Sequence, residues 1–133
     1  MKKVLTFGVF DYLHYGHLKL FERAAKLGDY LIVAVQVDEE IHRTKPDANV
    51  LYTFEQRREF VGAIKYVDEA IPYYQVADDI KNIDFDVFVV GGDQNHSGIM
   101  QAIEWSKSHG KEVVRLERTE GISSSAIKNS KIS

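Results

Sequence analysis

The sequence predicts a single α/β domain: a central five-stranded parallel sheet with helices on both faces. Three observations carry this. Short apolar runs rich in β-forming residues alternate with amphipathic stretches from end to end. Those runs are apolar throughout rather than at every second position, as strands covered on both faces require. No repeat, linker or low-complexity tract divides the 133 residues, a length suited to one core. Such units join through right-handed crossovers.

The elements follow in order. "KVLTFGVF" (3–10) is the first strand. From Gly16 the period changes: Leu18, Phe21 and Ala25, with Leu20, Ala24 and Leu27, recur at helical steps, and Gly28 is a stop. "DYLIVAVQV" (29–37) is the second strand. "DEEIHRTKPDANVLY" (38–52) has no clear period and reads as a long binding loop or lid. Thr53 and Gln56 form a capping box that starts a helix over 53–67. "DEAIPYY" holds a short strand, "ADDIKNI" a helical turn, and "FDVFVVGG" (85–92) a further strand ended by a glycine pair. A helix over 97–109 is stopped by Gly110, "KEVVRLE" is the last strand, and "SSSAIKNS" a C-terminal helix capped by Ser123 or Ser124.

Composition narrows the function classes. A net charge of −3 gives no broad positive field, so nucleic acid is not expected as a partner, whereas a small anion needs only a local basic site. With no cysteine there is no disulfide, thiolate metal site or Cys nucleophile. The Lys pair before the first apolar run resembles a leader, but Gly8 and Asp11 interrupt it and no cleavage site follows. No stretch reaches the ~18 apolar residues of a membrane span. A soluble, cytoplasmic protein is expected.

In parallel sheets ligands bind beyond the carboxyl ends of the strands. Three polar segments fall there: "DYLHYGH", "GGDQNH" and "ERTEGISSS". His14 and His17 straddle a strand-to-helix turn with Gly16 between them, where the helix N-terminus favours phosphate and neutral imidazoles donate to its oxygens. A zinc triad of the two histidines with Asp11 is the rival reading, and no third histidine is locally spaced for it. Neither a P-loop nor a dinucleotide fingerprint is present.

"FGVFDYLHYGH" resembles the G-x-F-D-x-x-H-x-G-H signature of the cytidylyltransferase branch of the nucleotidyltransferase superfamily, and "RTEGISSSAI" (118–127) resembles its second signature. "FEQRR" and "YVDEAIP" match further stretches between them. The likeness covers nearly the whole chain and is nearest to bacterial glycerol-3-phosphate cytidylyltransferases, which implies a Rossmann-like domain over 1–133. It also implies CMP transfer from CTP to a small phosphorylated acceptor, with release of pyrophosphate. By this resemblance His14, His17 and Arg118 are catalytic. Gly8, Phe10, Gly16, Asp93, Thr119, Ser123, Ser124 and Ser125 bind the nucleotide, and Lys45, Arg57, Gln94 and His96 the acceptor. Mg²⁺ is expected to accompany CTP without direct protein ligation, Asp11 being the one acid that either helps it or caps the turn. A homodimer and a role in envelope polysaccharide synthesis are implied as well.

One departure bears on the acceptor. Where glycerol-phosphate enzymes carry a G-D-D-W-like run, this chain has "GGDQNHSG": Gly92 replaces an acid, and Trp105 lies well into the next helix. Glutamine phosphate and ethanolamine phosphate are therefore alternative acceptors, and ATP an alternative nucleotide. A non-catalytic nucleotide sensor is the alternative of another class.

Overall fold

The computed structural model describes residues 1–92 and 94–117. In chain order these form β1 (Lys3–Gly8), α1 (Tyr15–Ala25), β2 (Tyr30–Gln36), α2 (Asp38–Thr44), α3 (Phe54–Gly62), β3 (Glu69–Tyr73), α4 (Val76–Asp79), a 3₁₀ turn (Ile80–Asn82), β4 (Val87–Gly91), α5 (Ser97–Ser108) and β5 (Glu112–Leu116). All strands are parallel, in the order β3-β2-β1-β4-β5. The expected sheet is therefore present, and both of its faces are covered.

Alternation along each strand divides the core in two. Leu5, Phe7, Ile32, Phe88 and Val90 face α4 and α5 residues such as Val76, Ile99 and Ala102. Val4, Leu31, Val33, Val87 and Val89 pack on the other face with Phe21 and Ala24 of α1 and Val61 of α3. Because each strand has a hydrophobic layer on both sides, the central five residues of β2 are all buried.

The chain winds outward from β1 to β3 and then returns to place β4 on the other side of β1. Strands β1 and β2 pair over six residues, from Lys3↔Tyr30 to Gly8↔Val35. In contrast, β1 and β4 pair only at Val4↔Val87 and Leu5↔Phe88, so their carboxyl ends part. That gap is the switch point at which an open α/β sheet offers a crevice.

Three boundaries differ from the sequence reading. β1 stops at Gly8 rather than 10, since Phe10 takes a left-handed φ of 56° that no strand continues through. α3 ends at Gly62, with Ala63 as its C-cap, short of the expected 67. The stretch 38–52 is not all loop, for α2 occupies Asp38–Thr44. Its first turn holds Asp38, Glu39 and Glu40 and its last turn His42 and Arg43, an order that suits the helix dipole. What holds it is tertiary: buried Glu40 accepts from Arg43 at 2.8 Å and from Gln75 Nε2 at 2.7 Å. Arg43 first, then Gln75, keep the Glu40 carboxyl below its ordinary pKa. The expected C-terminal helix lies outside the described residues.

Candidate active site

At the end of β1 the chain turns sharply into α1, and two histidines make that turn. His14 is the N-cap of α1, its Nδ1 accepting from the Gly16 N–H at 3.0 Å. His17, three residues on, accepts from the His14 N–H at its own Nδ1 across 3.3 Å. The pair is a capping box built from imidazoles in place of a hydroxyl and a carboxamide. A ring nitrogen that accepts carries no proton, so each neutral ring holds its hydrogen on Nε2. The rings stack with centroids 4.0 Å apart and 28° between planes. Partial burial lowers the His14 pKa, which favours the neutral form.

Phe10 supports this arrangement. It is buried, and its ring meets His17 edge-on at 5.5 Å and Phe21 at 5.3 Å. The ring folds back beneath Gly8 so closely that a Cβ there would lie 2.5 Å from its ζ carbon. Gly8 is glycine because Phe10 fills the space a side chain would take.

Two cavities flank this turn. The smaller, about 340 Å³, is lined by Gly8, Phe10, Asp11, His17, Gly91 and Gln94 among others. The larger, about 580 Å³, has Gly8, Lys45, Gln75, Gln94, His96 and Gln101 in its wall. Gly8, Val9 and Gln94 belong to both. Gln94 spans the parted strands: its Oε1 accepts from the Gly91 N–H at 2.8 Å, and its Nε2 donates to the Phe7 carbonyl at 3.1 Å. His96 is the N-cap of α5, with Nδ1 accepting from the Ile99 N–H at 3.4 Å. Lys45 is the C-cap of α2 and reaches the cavity from there.

The structure thus gathers Gly8, Phe10, Gly16, His14 and His17 at one turn and Lys45, Gln94 and His96 around the neighbouring cavity. It does not place Arg57 with them. That side chain is fully buried and donates from Nε to the Tyr52 carbonyl at 3.1 Å and from Nη1 to the Val9 and Gln36 carbonyls at 2.9 and 2.8 Å. Its Nη2 pairs with Asp38. The acceptor role expected for Arg57 gives way to a structural one, because its donors are already engaged by the ends of β1 and β2, the segment before α3, and α2. Asp38 also accepts from the Phe54 N–H at 3.0 Å. Burial works to raise the Asp38 carboxyl, but the Phe54 amide and Arg57 outweigh it, and its pKa falls.

Asp11 accepts the Leu51 and Tyr52 amides at 2.7 and 2.8 Å, tying the segment before α3 to the end of β1. Among the described residues no group of three or more His, Cys, Asp or Glu is placed to hold a metal ion. Arg118, Thr119, Ser123, Ser124, Ser125 and Asp93 lie outside the described residues. Sequence reasoning missed Asp38 and Arg115, neither of which sits in a motif.

A parallel sheet with a crevice at its switch point, lined by His17 and set beside a helix N-terminus capped by His14, defines a phosphate-handling α/β protein. Comparison sharpens that class. The Cytidylyltransferase-like family profile matches residues 5–130. Over 131 residues the chain is 44% identical to the glycerol-3-phosphate cytidylyltransferase of Bacillus subtilis (strain 168), covering 96% of this chain and 95% of that one. It is 43% identical to the glycerol-3-phosphate cytidylyltransferase of Staphylococcus aureus (strain NCTC 8325 / PS 47), covering 96% and 93%. Among solved structures, the lipopolysaccharide core biosynthesis protein from Thermoplasma volcanium GSS1 superposes with a TM-score of 0.76 at 25% identity, covering 90% of this chain and 99% of that one. The chain belongs to the cytidylyltransferase-like family, and the likeness read from two motifs extends along its length.

Proposed function

We propose that this protein transfers the cytidylyl group of CTP to a small phosphorylated acceptor, glycerol-3-phosphate before others. The observation that carries the reading is the stacked His14–His17 pair, whose Nδ1 atoms are both engaged by backbone amides and whose hydrogens therefore sit on Nε2. Relatives more than 40% identical over nearly the whole chain act on that acceptor by name.

An acceptor phosphate oxygen attacks the α-phosphorus of CTP in line. A P–O bond forms to the acceptor, the bond bridging the α- and β-phosphates breaks, and pyrophosphate leaves. The acceptor is already a nucleophile, so the protein's tasks are alignment and stabilisation of charge. The two Nε2–H groups at the N-terminus of α1 serve the triphosphate as it gains charge on its bridging and α-oxygens. Rigidity matters here: Phe10 behind His17, and the hydrogen bonds that both Nδ1 atoms accept from backbone amides, hold the donors so that little reorganisation accompanies reaction. The smaller cavity takes the nucleotide, and the larger one, with the Lys45 ammonium and His96 in its wall, takes the acceptor. Arg118, Thr119 and Ser123–Ser125 are assigned nucleotide roles by their match to the second signature.

Mg²⁺ bound with CTP would offset triphosphate charge. No protein ligand set is assigned to it, and both Asp11 oxygens are engaged by amides. Among the described residues no helix is long and apolar enough to cross a membrane. A cytoplasmic homodimer making a CDP-linked precursor for envelope polysaccharide is the setting we propose. Exposed apolar side chains such as Leu51 and Phe60 are consistent with a dimer contact, which sedimentation would test.

The test of the activity is pyrophosphate release with CTP and Mg²⁺ across glycerol-3-phosphate, ethanolamine phosphate and glutamine phosphate, with ATP as the nucleotide control. Turnover with CTP and glycerol-3-phosphate sustains the reading. Faster turnover with another acceptor replaces the acceptor assignment, and tight CTP binding without turnover on any acceptor leaves a sensor.

A further inference from the structure

We propose that Arg115 is a positioning residue for the acceptor: it draws three backbone carbonyls onto one guanidinium nitrogen and so fixes the turn from which Gln94 and His96 face the larger cavity. This rests on the assignment of that cavity to the acceptor.

Arg115 lies on β5 opposite Val90 of β4, near the carboxyl end of both strands. From there its Nη1 donates to the carbonyls of Gly91 at 3.0 Å, Gly92 at 3.4 Å and Gln94 at 3.0 Å. Nη1 has two hydrogens for three acceptors, so the oxygens are crowded around a shared donor. Carbonyl dipoles converging in this way repel one another unless a cation sits at their focus. A neutral or apolar residue at 115 would leave them facing each other.

Among the described residues, the other supports of this turn run through Gln94. The Gln94 N–H closes it onto the Gly91 carbonyl at 3.1 Å, and the Gln94 side chain accepts from the Gly91 N–H while donating to Phe7. A displacement of the Gln94 backbone therefore disturbs its side-chain bridge to β1. Beyond Gln94 the chain continues directly into His96, Ser97 and Gly98, which line the larger cavity. The histidines of the nucleotide side are held separately by α1 and Phe10. Gln94 lines both cavities, whereas His96, Ser97 and Gly98 line only the larger, so loss of Arg115 should be felt at both substrates and more strongly at the acceptor. Reading the chain for motifs did not reveal this, because an arginine on an edge strand has the appearance of a solvated one.

The test compares wild type, Arg115→Met and Arg115→Lys in the full chain. Steady-state turnover is measured with CTP and glycerol-3-phosphate varied separately, and amide hydrogen exchange at Gly91 and Gln94 is measured without substrate. Arg115→Met should raise the acceptor KM by about 10- to 100-fold, the scale of a misplaced binding group, and the CTP KM by a clearly smaller factor. Exchange at the two amides should accelerate about tenfold or more, and Arg115→Lys should recover most of both effects because it restores a cation with several donors. Unchanged exchange in Arg115→Met refutes the proposal. So do equal rises in both KM values, or faster exchange with an unchanged acceptor KM. If wild type is inert toward glycerol-3-phosphate, the acceptor reading fails. Exchange then decides the Arg115 claim separately: faster exchange that lysine rescues sustains it, and unchanged exchange refutes it.

Discussion

Gly8→Ala is the smallest change that should damage the site. The added methyl would lie 2.5 Å from the Phe10 ζ carbon and 2.8 Å from each ε carbon. Carbon atoms rest about 3.5–4.0 Å apart, so the ring must withdraw by roughly 1 Å. Its packed neighbours oppose that movement. Phe10 is 6% exposed, its ring meets both Phe21 and His17, and it hangs from a backbone already at φ 56°. A non-glycine residue in that region already carries about 1–3 kcal/mol of strain. Overpacking of this kind costs about 1–3 kcal/mol, which for a domain of this size lowers Tm by about 4 to 12 °C. The same movement pushes His17, and a misplacement near 1 Å can cost about 100-fold in rate. Thermal unfolding and kcat of Gly8→Ala read both effects, and Phe10→Leu with the double variant completes a cycle. Clash and ring are one interaction, so the double variant should be more stable than the two single losses sum to, by about 0.5–3 kcal/mol. Wild-type Tm and kcat in Gly8→Ala, or additivity within about 0.5 kcal/mol, would mean that the Phe10 ring does not occupy the space beside Gly8.

Other perturbations follow from the same geometry. Arg57→Met would strip donors from three carbonyls and Asp38; a loss of about 3–5 kcal/mol is expected in denaturant unfolding, and a loss below about 1 kcal/mol would contradict the buried clamp. Gln94→Leu leaves the Gly91 N–H and Phe7 carbonyl without their partner and should cost about 1–3 kcal/mol while weakening both substrates, since the residue lines both cavities; unchanged stability would remove the bridge from the account. Burial holds the His14 pKa below 6.5, so between the two values the unfolded chain binds its proton more readily than the folded one. Its contribution is therefore complete above about pH 6.5 and is lost as pH falls from there through the folded value. An NMR titration of His14 should show a midpoint under 6.5, and one above it would be inconsistent with a ring held neutral by burial.

Much of this was legible in the sequence because it rests on local pattern. Strands covered on both faces are apolar throughout, which made 29–37 and 85–92 plain, and the spacing of His14 and His17 with Gly16 between them is a cap position and the third residue of a helix. What escaped notice depends on partners far along the chain. α2 has few apolar residues and is held by Glu40 against Arg43 and Gln75, the latter 35 positions away. Arg57 has the look of a phosphate ligand in its motif, yet its guanidinium is taken up by carbonyls at positions 9, 36 and 52. Arg115 gains its role only because β5 lies beside β4.

We propose that the two neutral imidazoles stabilise the transferring phosphates rather than merely hold the turn. His17→Asn tests it directly, because asparagine keeps a side-chain acceptor for the His14 N–H while removing the Nε2–H donor. With CTP and glycerol-3-phosphate, kcat should fall about 100- to 1,000-fold, with CTP affinity changed only a few-fold and the protein still folded. A folded variant that turns over at the wild-type rate, or that loses CTP affinity by the same factor as its rate, would mean that His17 holds the turn or the ground-state nucleotide and does not stabilise the transition state.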